Sequence, residues 1–174
     1  MSSFLTSEQE ALAEEIAALL TERGETVAVS EGTSGGLVSA ALLWVPGASK
    51  YYRGGGVLYT LDSRVALAGV PRESYANYRG TTPELLAELT EAVRARLEAT
   101  WCIGESGLAG PTGGRSGAAP GRTTLAVAGP VTRQAVVETH TADRAENMTL
   151  FTTLALGYLR DAIREAPAAG ASGA

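Results

Sequence analysis

Cysteine and histidine are almost missing from this chain: Cys102 and His140 are the only examples in 174 residues. One thiol cannot close an internal disulfide, and one thiol with one imidazole cannot build a cysteine-rich zinc centre. A serine-histidine-acid triad is poorly served as well, because no serine and carboxylate stand in evident partnership with His140. No metal and no cofactor are therefore expected. Long apolar runs are also lacking, with no stretch of 18 or more residues of the kind that spans a bilayer as a helix. The N-terminus, Met-Ser-Ser-Phe-Leu-Thr-Ser-Glu, has neither the positive charge nor the apolar core of a signal peptide. The expectation is a cytoplasmic protein with no membrane partner. Clustered positive charge is absent too: the net charge is -5 and no segment gathers Lys and Arg. That argues against a nucleic-acid partner, whose phosphates need a basic face.

What is present suffices for one core. With 45% hydrophobic residues the chain reads as a single domain over 1–165. Residues 166–174, Ala-Pro-Ala-Ala-Gly-Ala-Ser-Gly-Ala, offer nothing to bury and are expected to be a disordered tail. Ser7 with Glu10 has the pattern of a capping box, and Leu12, Ile16, Leu19 and Leu20 repeat at helical spacing until Arg23-Gly24. Thr26 to Ser30 reads as a strand, followed by a tight turn and an apolar helix beginning near Ser34-Gly35-Gly36 and ending before Pro46. Gly55 to Thr60 reads as the next strand, and Thr82-Pro83-Glu84 opens a helix whose core face is Leu86, Leu89, Val93 and Leu97. Trp101 to Ala109, Thr123 to Ala128 and Ala135 to Thr141 read as strands, and Asp143 starts the last helix. Helices between strands predict a three-layer α/β/α sandwich. The short link between the strands near 123 and 135 makes its small sheet mixed.

Four segments carry a resemblance. Ser30-Glu31-Gly32-Thr33-Ser34-Gly35-Gly36 aligns without gaps with Ala-Glu-Ser-Cys-Thr-Gly-Gly, a turn of the CinA C-terminal domain family. Gly55 through Val70 is similar to that family's Gly-x-x-x-Tyr-Ser-Asn-x-x-Lys segment, with Tyr59, Thr60, Leu61 and Arg64 at the named positions. Ser106 through Gly114 is similar to Thr-Gly-Ile-Ala-Gly-Pro-x-Gly-Gly, and Ala142-Asp143-Arg144 to Gly-Asp-Arg. The resemblance runs from about Glu25 to about Tyr158 and implies a small mixed sheet between helical layers, a homodimer, and the stand-alone form of the domain. Active family members are nicotinamide mononucleotide amidases. It further implies a serine nucleophile at position 32 and a lysine general base at position 64, and here those positions hold Gly32 and Arg64. Guanidinium stays protonated and cannot act as the base. Loss of the nucleophile alone costs on the order of four to six decades in rate, so the inherited Ser-Lys chemistry is not expected.

Substitute catalytic candidates are Ser34, Thr33 and Tyr59. Ser34 is either an N-cap or a displaced nucleophile at the helix mouth. Thr33 either packs under the turn or offers its hydroxyl. Tyr59 is either a core aromatic or a phenol facing a flat ligand. Ligand-binding candidates are Glu31, Gly32, Gly35, Gly36, Arg64, Gly110, Pro111, Thr112, Gly113, Gly114 and Arg144. Glu31 either orients a ligand, pairs with Arg64, or accepts N-H bonds from its own turn. Arg64 is either a bidentate anion binder or a solvated helix arginine. The 110–114 loop is either a pocket wall with anion-binding amides or a plain crossover. Arg144 either reaches the ligand, from its own chain or a neighbouring subunit, or pairs with Glu146 or Asp143. Three readings follow: a divergent small-molecule hydrolase, a non-catalytic binder of a nucleotide-like or anionic metabolite, or a structural subunit without ligand.

Overall fold

The computed structural model describes residues 3–167. Helix α1 (Ser7–Arg23) starts at Thr6, whose hydroxyl accepts from the Gln9 N-H while the Gln9 side chain accepts from the Thr6 N-H. The capping box thus lies one residue earlier than Ser7 and Glu10 suggested. Glutamine serves the third helical position as well as glutamate does. Strand β1 (Val27–Glu31), helix α2 (Leu37–Trp44) and strand β2 (Tyr52–Val57) follow. Next come a short turn of helix, α3 (Leu61–Ser63), continued by a π-helical turn over Arg64–Ala68, and helix α4 (Pro83–Arg96). Strands β3 (Trp101–Leu108), β4 (Arg122–Ala128) and β5 (Arg133–Glu138) lead to the long helix α5 (Arg144–Glu165). β2 begins three residues before the predicted Gly55, because Tyr52 and Arg53 alternate on the edge strand while Leu58 and Tyr59 already leave it.

The sheet order is β2-β1-β3-β4-β5. β1 pairs in parallel with β2 and β3, whereas β3 with β4 and β4 with β5 are antiparallel, so the sheet is mixed as predicted. Alternation along the strands sorts the two faces. Val27, Val29, Trp101, Ile103, Leu125 and Val127 face α1, α2 and α5, which contribute Leu12, Ile16, Leu20, Leu42, Leu156, Leu159 and Ile163. Ala28, Cys102 and Ala126 face α4, which supplies Leu86, Leu89 and Val93. The α4 face of the sheet is built from small residues, and this lets α4 come close. A Cβ placed on Gly104 would lie within contact-forbidding range of Thr90 Oγ1 and 3.2 Å from its Cβ. This close seating fixes the middle of α4 against β3.

Asp143 caps α5 by accepting from the Glu146 N-H at 2.8 Å. At the far end Ala166 is 3% exposed and its carbonyl accepts from Arg23 Nη1 at 3.1 Å, so the packed unit includes the first residue of the predicted tail. The rest of that tail, from residue 168, lies outside the described residues. Among the described residues no helix is long and apolar enough to cross a membrane.

Candidate functional site

Because β1, β2 and β3 run parallel, their C-terminal ends share one edge of the sheet. Ligand sites in open α/β sheets form at that edge. The turn after β1 is organised by Glu31, which is 1% exposed. Its Oε2 accepts from Ser34 Oγ at 2.7 Å, the Gly36 N-H at 2.9 Å and the Val38 N-H at 3.0 Å. Its Oε1 accepts from the Ser39 N-H at 2.8 Å and Ser39 Oγ at 2.5 Å. A helix start leaves four N-H groups without intrahelical partners and carries partial positive charge. One carboxylate from the preceding strand meets both needs of α2, whose N-cap residue, Gly36, makes no side-chain bond. Gly35 and Gly36 take φ of 67° and 102°, which glycine adopts at little cost. Their role is to turn the chain, and neither lines the cleft described below.

Ser34 therefore neither caps α2 nor stands ready as a nucleophile. It is 0% exposed, its hydroxyl is donated to Glu31, and its N-H donates to Glu105 Oε2 at 2.8 Å. Thr33 is tied as firmly: Oγ1 donates to the Gly107 carbonyl at 2.7 Å and accepts from the Gly107 N-H at 2.9 Å, stapling the turn to β3. Glu31 makes no pair with Arg64, and the structural alternative for this carboxylate is the one observed. Glu105, buried beneath the turn, has its carboxyl pushed up by desolvation, countered by bonds from Ser34 and Thr123.

Above the turn opens a cleft of about 1080 Å³, bounded by Gly32 and Thr33, the 59–64 segment, the 73–83 segment, the end of β3 and the 113–118 loop. Arg64 is among its most buried lining residues, 3% exposed, which removes the solvated-helix alternative. Its Nε donates to the Leu58 carbonyl at 3.2 Å, Nη2 donates to Ser106 Oγ at 3.0 Å, and Nη1 and Nη2 both approach Thr81 Oγ1 at 3.4 Å. The Tyr75 and Tyr78 rings lie 5.9 and 5.7 Å from the guanidinium carbon. Every one of these partners is neutral, and among the described residues Arg64 enters no ion pair. Burying a charge without a counter-charge costs several kcal/mol unless hydrogen bonds offset it. The Tyr75 hydroxyl beside it is buried without a partner, and burial raises its phenol above the ordinary value against the lowering pull of Arg64.

Tyr59 lines the cleft mouth and is 59% exposed, so it is not a core aromatic. Of the glycine-rich loop, Gly113 and Gly114 line the cleft, while Gly110, Pro111 and Thr112 do not. The Gly114 N-H donates to the Ala118 carbonyl and the Gly117 N-H to that of Gly114, so these amides are used within the loop. Arg144 meets neither the cleft nor Glu146 or Asp143. Its Nη1 donates to the Gly110 carbonyl at 2.9 Å, and Asn147 Nδ2 donates to Ala109 and Thr141 carbonyls, so α5 holds the base of the loop in place.

Sequence reasoning missed Ser106, Thr81 and Tyr78. Ser106 lay inside a matched segment and could have been found there, whereas Thr81 and Tyr78 sit in an irregular stretch whose folding onto β3 no periodicity foretells. The cleft also gathers Arg79, Arg115 and Arg122 with Arg64, against one carboxylate, Glu73. Lys50, the chain's only lysine, is exposed outside the cleft. Cys102 is fully buried, with its thiol pushed up by desolvation.

The CinA C-terminal domain matches residues 9–163. A CinA-like protein of Prochlorococcus marinus is 40% identical over 124 residues, covering 71% of this chain and 29% of that protein. One from Anaeromyxobacter sp. is 37% identical over 153 residues, covering 88% and 38%. The chain thus spans about a third of the length of these curated relatives. Among solved structures, competence/damage inducible protein CihA from Agrobacterium tumefaciens superposes with a TM-score of 0.84 at 25% identity, covering 94% of this chain and 100% of that one. The competence damage-inducible protein A of Klebsiella pneumoniae gives a TM-score of 0.85 at 23% identity, covering 90% and 98%, and this speaks for the fold.

Proposed function

This chain belongs to the CinA C-terminal domain family, and from that premise we propose that it binds a small anionic, nucleotide-like metabolite without performing the family's Ser-Lys amide hydrolysis. The observation that carries the reading is the state of the turn hydroxyls. Position 32 has no side chain, Ser34 is buried on Glu31, and Thr33 is spent on both polar groups of Gly107. An activated nucleophile needs a base within hydrogen-bond reach, and around this turn the groups are an arginine and carboxylates already engaged in structural bonds. The cleft meanwhile keeps the size of a ligand site and an excess of arginine.

A second reading, a divergent hydrolase, is favoured by one observation. Ser106 Oγ lines the cleft 3.4 Å from where a Cβ at Gly32 would stand, so a hydroxyl does occupy the vacated region. Ammonia release from nicotinamide mononucleotide at high protein concentration, beside a serine-containing family member, separates the two. No release with retained ligand binding supports the binder. Turnover abolished by Ser106→Ala supports the hydrolase. A homodimer in the cytoplasm completes the proposal, and light scattering that returns a monomer would remove the first part.

A further inference from the structure

Resting on the binding reading above, we propose that Arg64, Ser106 and Thr81, on the cleft wall beside Gly32, form a carboxylate seat, so that the cleft selects a ligand's carboxylic acid over the corresponding carboxamide. The first observation is charge. Arg64 is buried and its contacts are a carbonyl, two hydroxyls and two tyrosine rings, none of which carries negative charge. The second is the count of protons. Ser106 Oγ and Thr81 Oγ1 share a bond at 2.9 Å, and Thr81 Oγ1 and Tyr78 OH share one at 3.0 Å. Three hydroxyls make two mutual bonds, which leaves one O-H with no acceptor inside the chain of hydroxyls. Of the five guanidinium N-H groups, Nε meets a carbonyl and the rest divide two hydroxyl oxygens, so the cluster is short of acceptors.

The third observation is access. Gly32, Arg64, Thr81 and Ser106 all line the same cleft, and Gly32 adds no side chain to it, a Cβ there being held to 3.4 Å from Ser106 Oγ and 3.1 Å from the Glu105 carbonyl. A carboxylate beside Gly32 brings two acceptor oxygens and the missing charge. A carboxamide brings one acceptor and no charge, and its NH2 turns two further donors toward a cluster already rich in them. Glu31 and Glu105 do not compete for the seat, being engaged beneath the turn, and Glu73, the one carboxylate among the described residues of the cleft, makes no ion pair with Arg64.

Calorimetric titration of the full chain with nicotinamide mononucleotide and with its carboxylate counterpart, and with benzamide and benzoate, tests this. The acid of each pair is expected to bind tighter by about tenfold to a hundredfold, the value of a charge-assisted hydrogen bond pair. Arg64→Gln should erase the preference. Gly32→Ser, which keeps the charge but fills the seat, should weaken the acid selectively, and circular dichroism identifies either variant if it fails to fold. Equal binding of acid and amide, or preference for the amide, overturns the seat while leaving the cleft a ligand site. Absence of binding by all four probes overturns the seat and the nucleotide-like binding reading together.

Discussion

Placing serine at position 32 and lysine at position 64, the residues that the resemblance implies there, asks whether the cleft supports the Ser-Lys chemistry. A serine Cβ at 32 meets the Glu105 carbonyl at 3.1 Å and Ser106 at 3.4 Å, contacts that a shift of a few tenths of an ångström relieves. Backbone strain is not involved, since Gly32 is not among the positive-φ glycines. Mild overpacking of this kind costs about 1 kcal/mol, at the low end for inserted methylenes. Arg64→Lys forfeits the Nε bond to Leu58, about 1.5–3 kcal/mol for a bond from a charged donor, and the longer shared approach to Thr81. The double variant therefore folds with about 2.5–4 kcal/mol less stability, within reach of a domain this size. A lysine in this buried place, with neutral neighbours, has its ammonium disfavoured by desolvation, the condition under which an amine accepts a proton from serine. The assay is ammonia release from nicotinamide mononucleotide by the parent, both single variants and the double. The expected result is turnover in the double variant exceeding the parent by about four decades or more, with little in either single variant because nucleophile and base act as a unit. Ammonia release by the parent at the rate of the double variant would refute the reasoning, for it would mean that a group other than residue 32 performs the attack.

Glu31→Gln should lower stability by about 3 kcal/mol, because an amide NH2 must then face donors that the carboxylate accepted; thermal unfolding checks it, and an unchanged Tm would remove Glu31 as the keystone of the turn. Glu105 has its folded-state carboxyl raised, first by burial. The folded chain then holds a proton the unfolded chain has released, and stability falls as pH rises from the ordinary carboxylate range through the raised value. Glu105→Gln keeps an acceptor for Ser34 and removes this decline, so its stability relative to the parent should increase as pH rises above the ordinary carboxylate range in denaturant titrations; a parallel profile would show that Glu105 does not lose a proton over the range scanned. Arg144→Ala should lower Tm by a few degrees and speed amide exchange in 110–118, as loss of one charge-assisted bond of about 1.5–3 kcal/mol implies; unchanged Tm and exchange would remove Arg144 as the anchor of the loop.

The fold was largely legible because its signals are local or periodic. Pro83 after Thr82, the 3.6-residue spacing of Leu86, Leu89 and Val93, and the short link at Gly129-Pro130 each report one element without tertiary knowledge. The errors fell where two local signals compete. Thr6-Gln9 and Ser7-Glu10 are both capping patterns one residue apart, and only the seating of α1 on α5, where Gln9 Nε2 donates to the Thr149 carbonyl at 3.0 Å, selects the first. The site was less legible for a related reason. Glu31, Thr33 and Ser34 were visible as polar residues at a strand-helix turn, but what Thr33 and Ser34 do depends on Gly107 and Glu105, more than 70 residues away in sequence. The cleft wall built by Tyr78 and Thr81 has no pattern at all.

The bonds of the turn are independent of the two positions at which the resemblance implies a Ser-Lys dyad. The bonds that shape the turn run from Glu31 to α2, from Thr33 to Gly107 and from Ser34 to Glu105, and none passes through the side chain of residue 32. Arg64 is anchored in the same way, by a carbonyl and two hydroxyls to which a long cationic side chain can donate. The scaffold and the reacting groups are therefore separable: glycine at 32 and arginine at 64 leave each of these bonds in place. A match over residues 9–163 reports the scaffold. On the reading proposed above, positions 32 and 64 decide the chemistry: with glycine and arginine there, a ligand's negative charge completes a buried cluster that the folded chain leaves short of an acceptor.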